Sequence, residues 1–272
     1  MRICVIITAA GSSTRYNQGG DDPLDALGGA RSKLDEDLGG KTVLQRSIEL
    51  FNTREEVDSI IVAGPHDPAA FAAFTDRHGD RLSLLGARLV RGGELHRWQT
   101  VRVALSEIGD SCTHVAIHDA ARPATDGGLI DRVFDAAKRH PAVVPGVPAS
   151  DTLKRVDPEP IEDGGGVDQV AAILGVTDRS VMHRVEATID RANLMQIQTP
   201  QVFERELILR AYGQDDLSST DDAGLVERLG EPVVVVEGDA LNLKLTRPGD
   251  LPLLRAIMGV QGPSRRPTHK RF

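Results

Sequence analysis

The apolar run 3–8 leads into the small-residue stretch Ala9-Ala10-Gly11-Ser12-Ser13-Thr14-Arg15. Small side chains after a strand let a ligand approach the backbone, and the N–H groups of such a turn form a cradle for an anion. The stretch is neither the G-x-G-x-x-G dinucleotide pattern nor a Walker loop. Arg15 follows Gly11 by four residues, and Lys33 stands beyond an intervening loop. A forked guanidinium and a compact ammonium beside such a turn suit a triphosphate. Without that partner they read as a solvated arginine and lysine next to an ordinary strand-end turn.

A second group follows the run Val115-Ala116-Ile117-His118, where Asp119 and Arg122 stand just past an apolar segment. A carboxylate in that position can hold a divalent cation against phosphate oxygens. His118 reads more simply as a packed histidine whose ring nitrogens are hydrogen-bonded than as a catalytic base. Further along come Thr199-Pro200-Gln201-Val202-Phe203 and Ser219-Thr220-Asp221-Asp222, the latter with the composition of a helix N-cap. Lys244 falls inside the strand-like run 243–246, where a lysine needs a partner, and an anionic ligand is one candidate. Cys4 and Cys112 both lie in apolar runs and read as small buried hydrophobes in a reducing compartment rather than as a disulfide or metal site.

The elements that position these residues alternate. Short apolar runs at 3–8, 59–63, 87–90, 115–118 and 142–147 have the character of buried parallel strands. Between them Leu44, Ile48 and Phe51, then Trp98, Val101, Leu105 and Ile108, then Ile130, Val133 and Ala137 recur at helical spacing. Such alternation predicts an α/β fold: a doubly wound, mostly parallel Rossmann-like sheet that binds its ligand beyond the carboxyl ends of the strands. The rhythm breaks between 151 and 190, where prolines and the triplet Gly164-Gly165-Gly166 predict a protruding β-arm with a loop at the glycines. Helices are expected again at 204–212, 221–229 and 248–258, with strands at 233–237 and 243–246. The expected organisation is one domain over 1–262, followed by a basic, frayed tail at 263–272.

The 272 residues carry 40 acidic against 32 basic side chains, a formal charge of −8, which argues against general nucleic-acid affinity but leaves room for a local basic pocket. No apolar run approaches the ~20 residues that span a bilayer. The N-terminal run lacks the pattern of a signal peptide, so the cytoplasm is the expected location.

Taken together and in order, these pieces resemble the cytidylyltransferases that act on 2-C-methyl-D-erythritol 4-phosphate in the non-mevalonate isoprenoid pathway. The resemblance runs from Ile3 to about Met258 and is most specific at 118–123, 199–203, Thr220-Asp221 and 242–251. It implies that Arg15 and Lys33 bind the CTP triphosphate, with Lys244 as a second lysine on that side. Gly39, Thr42 and Leu44 follow Lys33 at the family's spacing, and Lys41 fits less well. The segment Gly92-Gly93-Glu94-Leu95-His96-Arg97-Trp98-Gln99-Thr100-Val101 matches the family's Gly-Gly…Arg-x-x-Ser-Val with one extra residue. By that match Gly93 and Thr100, with Ala9, Ala10, Gly11 and Ala120, hold the nucleotide. Asp119, Arg122, Thr199 and Thr220 line the acceptor and metal side, with Asp119 as a ligand of Mg²⁺. Arg191 matches the arm arginine that reaches the partner subunit's substrate. The chain departs from the family at Ser32, where the family has proline, in the long glycine-rich loop at 17–32, and in a longer arm.

The implied reaction is attack by an acceptor phosphate oxygen on the α-phosphorus of CTP, with pyrophosphate leaving. A homodimer through 151–190 is the implied assembly. The alternatives are a cytidylyltransferase for another polyol phosphate, such as ribitol 5-phosphate, and a nucleotide-binding protein without activity.

Overall fold

The computed structural model describes residues 1–11, 13–17, 32–161 and 181–262. Ser12, most of the glycine-rich loop, the triplet Gly164–Gly166 and the basic tail at 263–272 lie outside the described residues. The chain divides into two units, Met1–Val147 with Ile197–Phe272, and Pro148–Gln196.

In the first unit β1 (Ile3–Thr8) is the centre. Every residue from Ile3 to Ile7 is completely buried, and the alternation of strand side chains sends Ile3, Val5 and Ile7 to one core and Cys4 and Ile6 to another. The chain then runs through α1 (Thr14–Asn17), a 3-10 turn (Lys33–Asp35), α2 (Val43–Glu49), β2 (Val57–Gly64), α3 (Pro68–Leu84) and β3 (Ala87–Arg91). It continues with α4 (Arg97–Leu105), β4 (His114–Asp119), α5 (Gly127–Ala137) and β5 (Ala142–Pro148). After the second unit's β6 (Leu153–Ile161) and β7 (Met182–Ile189), and a short β8 (Met195–Ile197), come β9 (Gln201–Glu204), α6 (Arg205–Tyr212), α7 (Ala223–Arg228), β10 (Val234–Glu237) and α8 (Asp250–Ile257).

The main sheet has the order β10-β5-β9-β4-β1-β2-β3. All neighbours on this path are parallel except β9, which runs antiparallel to both β4 and β5. From β1 the chain builds outward to β2 and β3, then returns to β1's other edge as β4. The topological switch point therefore lies between β1 and β4, where Thr8 pairs with Asp119. Helices α2 and α5 pack on one face through Val43, Leu44, Ile48, Leu129 and Phe134. Helices α4 and α6 pack on the other through Val101, Leu105, Leu207 and Ile208.

Three sequence expectations are corrected here. The run 243–246 is not a strand: it joins no ladder and is tied to the sheet's end through the Leu245 N–H donating to the Ala121 carbonyl at 2.8 Å. The helix expected from Pro248 begins at Asp250, whose Oδ2 turns back to accept from the N–H groups of Thr246 and Arg247 and closes the preceding turn. The spacing that carried the fourth helix to Ile108 overran its end at Leu105. One long element had no sequence counterpart. Helix α3 has only Phe74, His78 and Leu82 buried along 17 residues, too sparse a stripe to stand out, although Asp67 capping Ala70 and Pro68 in the first turn mark its start.

In the second unit β6 and β7 form an antiparallel pair of their own, with Leu153 opposite Ile189 and irregular register around Val156. Most of their side chains are exposed.

Candidate active site

Beyond the carboxyl ends of β1 and β4 lies a cleft of about 330 Å³. Thr8, Ala9, Ala10 and Gly11 form its floor from β1, Asp119, Ala120 and Ala121 from β4. Gly93 to Arg97 and Thr100 wall it on one side, Lys33, Leu34 and Lys244 on the other. The glycines of the wall are demanded by packing. A Cβ on Gly92 would lie 2.4 Å from the Gly64 carbonyl that its own N–H bonds, and one on Gly93 would lie 2.2 Å from the Gln99 side chain. Gly93 N–H donates to Thr100 Oγ1 at 3.1 Å, so the wall and the start of α4 are one piece.

The electrostatic centre is Asp119, 8% exposed. Lys244 Nζ is 2.7 Å from its Oδ2, and Arg97 Nε and Arg122 Nε each lie 3.7 Å from one of its oxygens. Burial by itself would raise this carboxyl, but Lys244, Arg97 and Arg122 outweigh it and hold Asp119 well below the usual carboxylate range. Arg122 reaches the Asn242 carbonyl at 2.6 Å, and its buried Nε has no acceptor within hydrogen-bond range. Asn242 in turn donates to the Thr199 carbonyl at 3.1 Å and accepts from Thr125 Oγ1 at 2.9 Å, which fixes the segment that carries Lys244.

Lys33 enters the cleft from the 3-10 turn. Its ammonium donates to the Leu245 carbonyl at 2.9 Å and its N–H to Ser13 Oγ at 3.2 Å. The turn is anchored to α3 through Asp35, which pairs with His78 at 2.8 Å and with Arg77. Lys41 instead pairs with Glu49 at 2.8 Å and does not line the cleft. Arg15 lies in the short helix α1.

Thr199 and His118 stand behind Asp119 rather than in the cleft. The Arg122 carbonyl, 3.2 Å from His118 Nε2, can only accept, so the hydrogen of the neutral ring sits on Nε2. His118 Nδ1 then accepts from Thr199 Oγ1 at 3.1 Å, and the same hydroxyl oxygen accepts from the Asp119 N–H at 3.1 Å. The ring packs edge-on against Phe51. His118 is therefore the hydrogen-bonded core histidine that its sequence context suggested. Thr220 is exposed and outside the cleft, and the capping of α7 falls to Asp221, which accepts from Gly224 N–H at 3.0 Å. Arg191, an exposed residue, belongs to the second unit. Cys4 and Cys112 are buried and free, and burial pushes the Cys4 thiol up to about 12, which removes it as a nucleophile.

Arg97 was visible in the sequence only as part of a motif and had no assigned role. In the structure its Nη2 forms an ion pair, at 2.6 Å, with Oδ2 of Asp222, a fully buried carboxylate whose Oδ1 accepts a hydrogen bond from Tyr212 Oη at 2.5 Å. Burial would lower the Arg97 guanidinium, but Asp222 and Asp119 push it up instead, and burial with Asp222 also pushes up the Tyr212 phenol, which stays a donor.

Among the described residues no group of three or more His, Cys, Asp or Glu side chains is placed to hold a metal ion, and no helix is long and apolar enough to cross a membrane.

Comparison with known proteins bears on this cleft. Residues 3–170 and 166–260 match the family profile of 2-C-methyl-D-erythritol 4-phosphate cytidylyltransferase. The chain is 36% identical over 258 residues to the enzyme of that name from Frankia casuarinae, covering 94% of this chain and 81% of the relative. It is 36% identical to the one from Symbiobacterium thermophilum, covering 94% and 92%. The crystal structure of the Thermus thermophilus protein of the same name aligns with a TM-score of 0.65 at 29% identity, over 96% of this chain and 100% of that one.

Burial pulls the His118 imidazole down to about 4, against the upward pull of Asp119. An unfolded histidine titrates near ~6.5, so between these values the unfolded chain binds the extra proton and stability falls as pH falls. The His118 contribution lost between pH 6.5 and 4 is expected to be about 3 kcal/mol. Thermal midpoints measured across that window should fall steeply for the wild type and less steeply for His118→Gln. Equal slopes would contradict a neutral buried ring.

Proposed function

The chain belongs to the 2-C-methyl-D-erythritol 4-phosphate cytidylyltransferase family, and on that premise we propose that its cleft transfers CMP from CTP to 2-C-methyl-D-erythritol 4-phosphate in isoprenoid precursor synthesis. The observation that carries this reading is the convergence of Lys33, Lys244 and Asp119 on a cleft floored by backbone and small side chains. An oxygen of the acceptor phosphate bonds to the α-phosphorus as the bond to the β-phosphate's bridging oxygen breaks, and pyrophosphate leaves in line. The acceptor phosphate has its second pKa near ~6 and is mostly dianionic at neutral pH, so it needs no strong base. The absence of a base and nucleophile role for His118, Cys4 and Cys112 accords with this.

Catalysis is then positioning and charge stabilisation. Lys33, Lys244 and Arg15 offset charge on the α-phosphate and the leaving group. Ala9, Ala10 and Gly11 carry the triphosphate cradle, while Gly93, Thr100 and Ala120 hold cytidine. Asp119 serves the acceptor side, with Arg122 behind it, outside the cleft lining, as an ion-pair partner at 3.7 Å. Thr199 serves by fixing the Asp119 backbone, and a part for Thr220 would need ligand-induced movement, since it is outside the cleft. For Mg²⁺, Asp119 is the protein ligand of choice. Asp119 would hold the ion by a single carboxylate, and the ion would supply positive charge to the phosphates when bound.

The assay is pyrophosphate release from CTP and Mg²⁺ with separate acceptors. Release with methylerythritol phosphate is expected, and release with ribitol 5-phosphate alone would overturn the acceptor assignment. In the same assay Lys33→Ala should lower kcat by at least ~10²-fold with the fold intact, while Lys41→Ala should do much less. Near-normal turnover of the Lys33 variant would move the role to another cation.

The chain is further proposed to act as a homodimer through 151–190, each site taking the partner's Arg191. In support, an isolated two-stranded sheet such as β6–β7 is marginal in water, and it exposes Val156, Ile161, Met182 and Val185. Mixing Arg191→Ala with Lys33→Ala protein is expected to restore about one quarter of wild-type turnover, because about half the dimers are mixed and each has one intact site. No recovery after confirmed subunit exchange would take Arg191 out of the partner's site.

A further inference from the structure

One cation of the cleft is assigned no part in the reaction above, and the chain commits a buried carboxylate to holding it. Arg97 lines the cleft at the start of α4. Its Nη2 lies 2.6 Å from Asp222 Oδ2 and its Nε 3.7 Å from Asp119 Oδ1, so one guanidinium stands between two carboxylates. Asp222 is 0% exposed, and its other oxygen accepts from Tyr212 Oη at 2.5 Å. A carboxylate removed from water is stable only with its partner in place. Asp222 therefore keeps Arg97 where it is, whatever occupies the cleft.

Lys244 is placed differently. It is the closest cation to Asp119, at 2.7 Å, and its side chain is 36% exposed toward the cleft. A bound phosphate chain competes with Asp119 for that ammonium. When Lys244 turns to the phosphates, Asp119 loses its nearest protein counter-charge, and Arg97 and Arg122, each 3.7 Å away, are the cations of the chain left to hold the carboxylate in position.

We propose that Arg97 is a positioning residue: anchored by Asp222 and Tyr212, it holds the Asp119 carboxylate in place and matched in charge, so that Lys244 is released to the phosphates. Arginine suits the task because its rigid guanidinium turns Nη2 to Asp222 and Nε toward Asp119 in a fixed geometry, where a lysine ammonium is a single point charge on a flexible stem. The inference rests on the reading of the cleft as a CMP-transfer site.

Removing Arg97 alone strands Asp222, so the informative variant is the double change R97Q/D222N, which removes both charges and leaves amides able to bond each other and Tyr212. Wild type, this double variant and R97K are compared by thermal melting and by steady-state pyrophosphate release with CTP and methylerythritol phosphate. The double variant is expected to melt near the wild type, with kcat lower by at least about tenfold and the KM for CTP within about threefold. Recovery of kcat together with the melting temperature would reduce the Arg97–Asp222 pair to a structural ion pair and overturn the proposal. A loss confined to the KM for CTP would overturn it in favour of a nucleotide contact. If the double variant does not fold, R97K decides: kcat at least about fivefold down supports the positioning role, and wild-type kcat contradicts it. Silence of the wild type with every acceptor would instead overturn the reading of the reaction on which the inference stands.

Discussion

A carboxylate buried at the end of the central sheet needs cations, and Asp119 draws them from three separate stretches of chain. Arg97 comes from the start of α4, Arg122 from the loop after β4, and Lys244 from the irregular segment before α8. None of these stretches adjoins another along the chain except through the sheet, so the charge of Asp119 gathers the walls of the cleft. Its own backbone is held in turn by Thr199, and Asn242 ties the Lys244 segment to the same place. The net charge of −8 is no obstacle to binding a polyanion here, because among the charged residues that line the cleft Lys33, Arg97 and Lys244 outnumber Glu94 and Asp119.

This arrangement divides labour between backbone and side chains. The floor from Ala9 to Gly11 and the glycines of the wall give close approach without bulk, and Gly92 and Gly93 tolerate no Cβ where they stand. The charged groups are held by named partners: Arg97 by buried Asp222, Lys244 by Asp119 and Lys33 by the Leu245 carbonyl. His118 shows the same economy: both ring nitrogens are used, and the ring serves to orient Thr199 and hence Asp119.

What the sequence made legible follows from range. The buried strands, the small-residue turn after β1 and the position of Asp119 and Arg122 past β4 are local patterns, and hydrophobic runs with short spacings reveal them. Lys244 is legible as a lysine that needs a partner, but Leu243 and Leu245 alternate with polar residues as strand residues do, so its segment carries the pattern of a strand without forming one. The pairing of Arg97 with Asp222 is a contact between distant stretches, invisible to spacing, and a buried aspartate beside a helix start reads as a cap until its partner is seen. Helix α3 was missed for a different reason: it covers the sheet edge with few large apolar residues.

The most direct test concerns the ionisation of Asp119. The side-chain carboxyl carbon, labelled with ¹³C and assigned by its disappearance in Asp119→Asn, is followed by NMR as the pH is lowered. The carboxylate is expected to stay ionised well below the point where ordinary aspartates protonate, and to move back toward that point in Lys244→Met. Titration of the wild-type group at the ordinary aspartate value near ~3.9 would show that the three cations do not act on it, and would contradict the charge cluster as the organiser of the cleft.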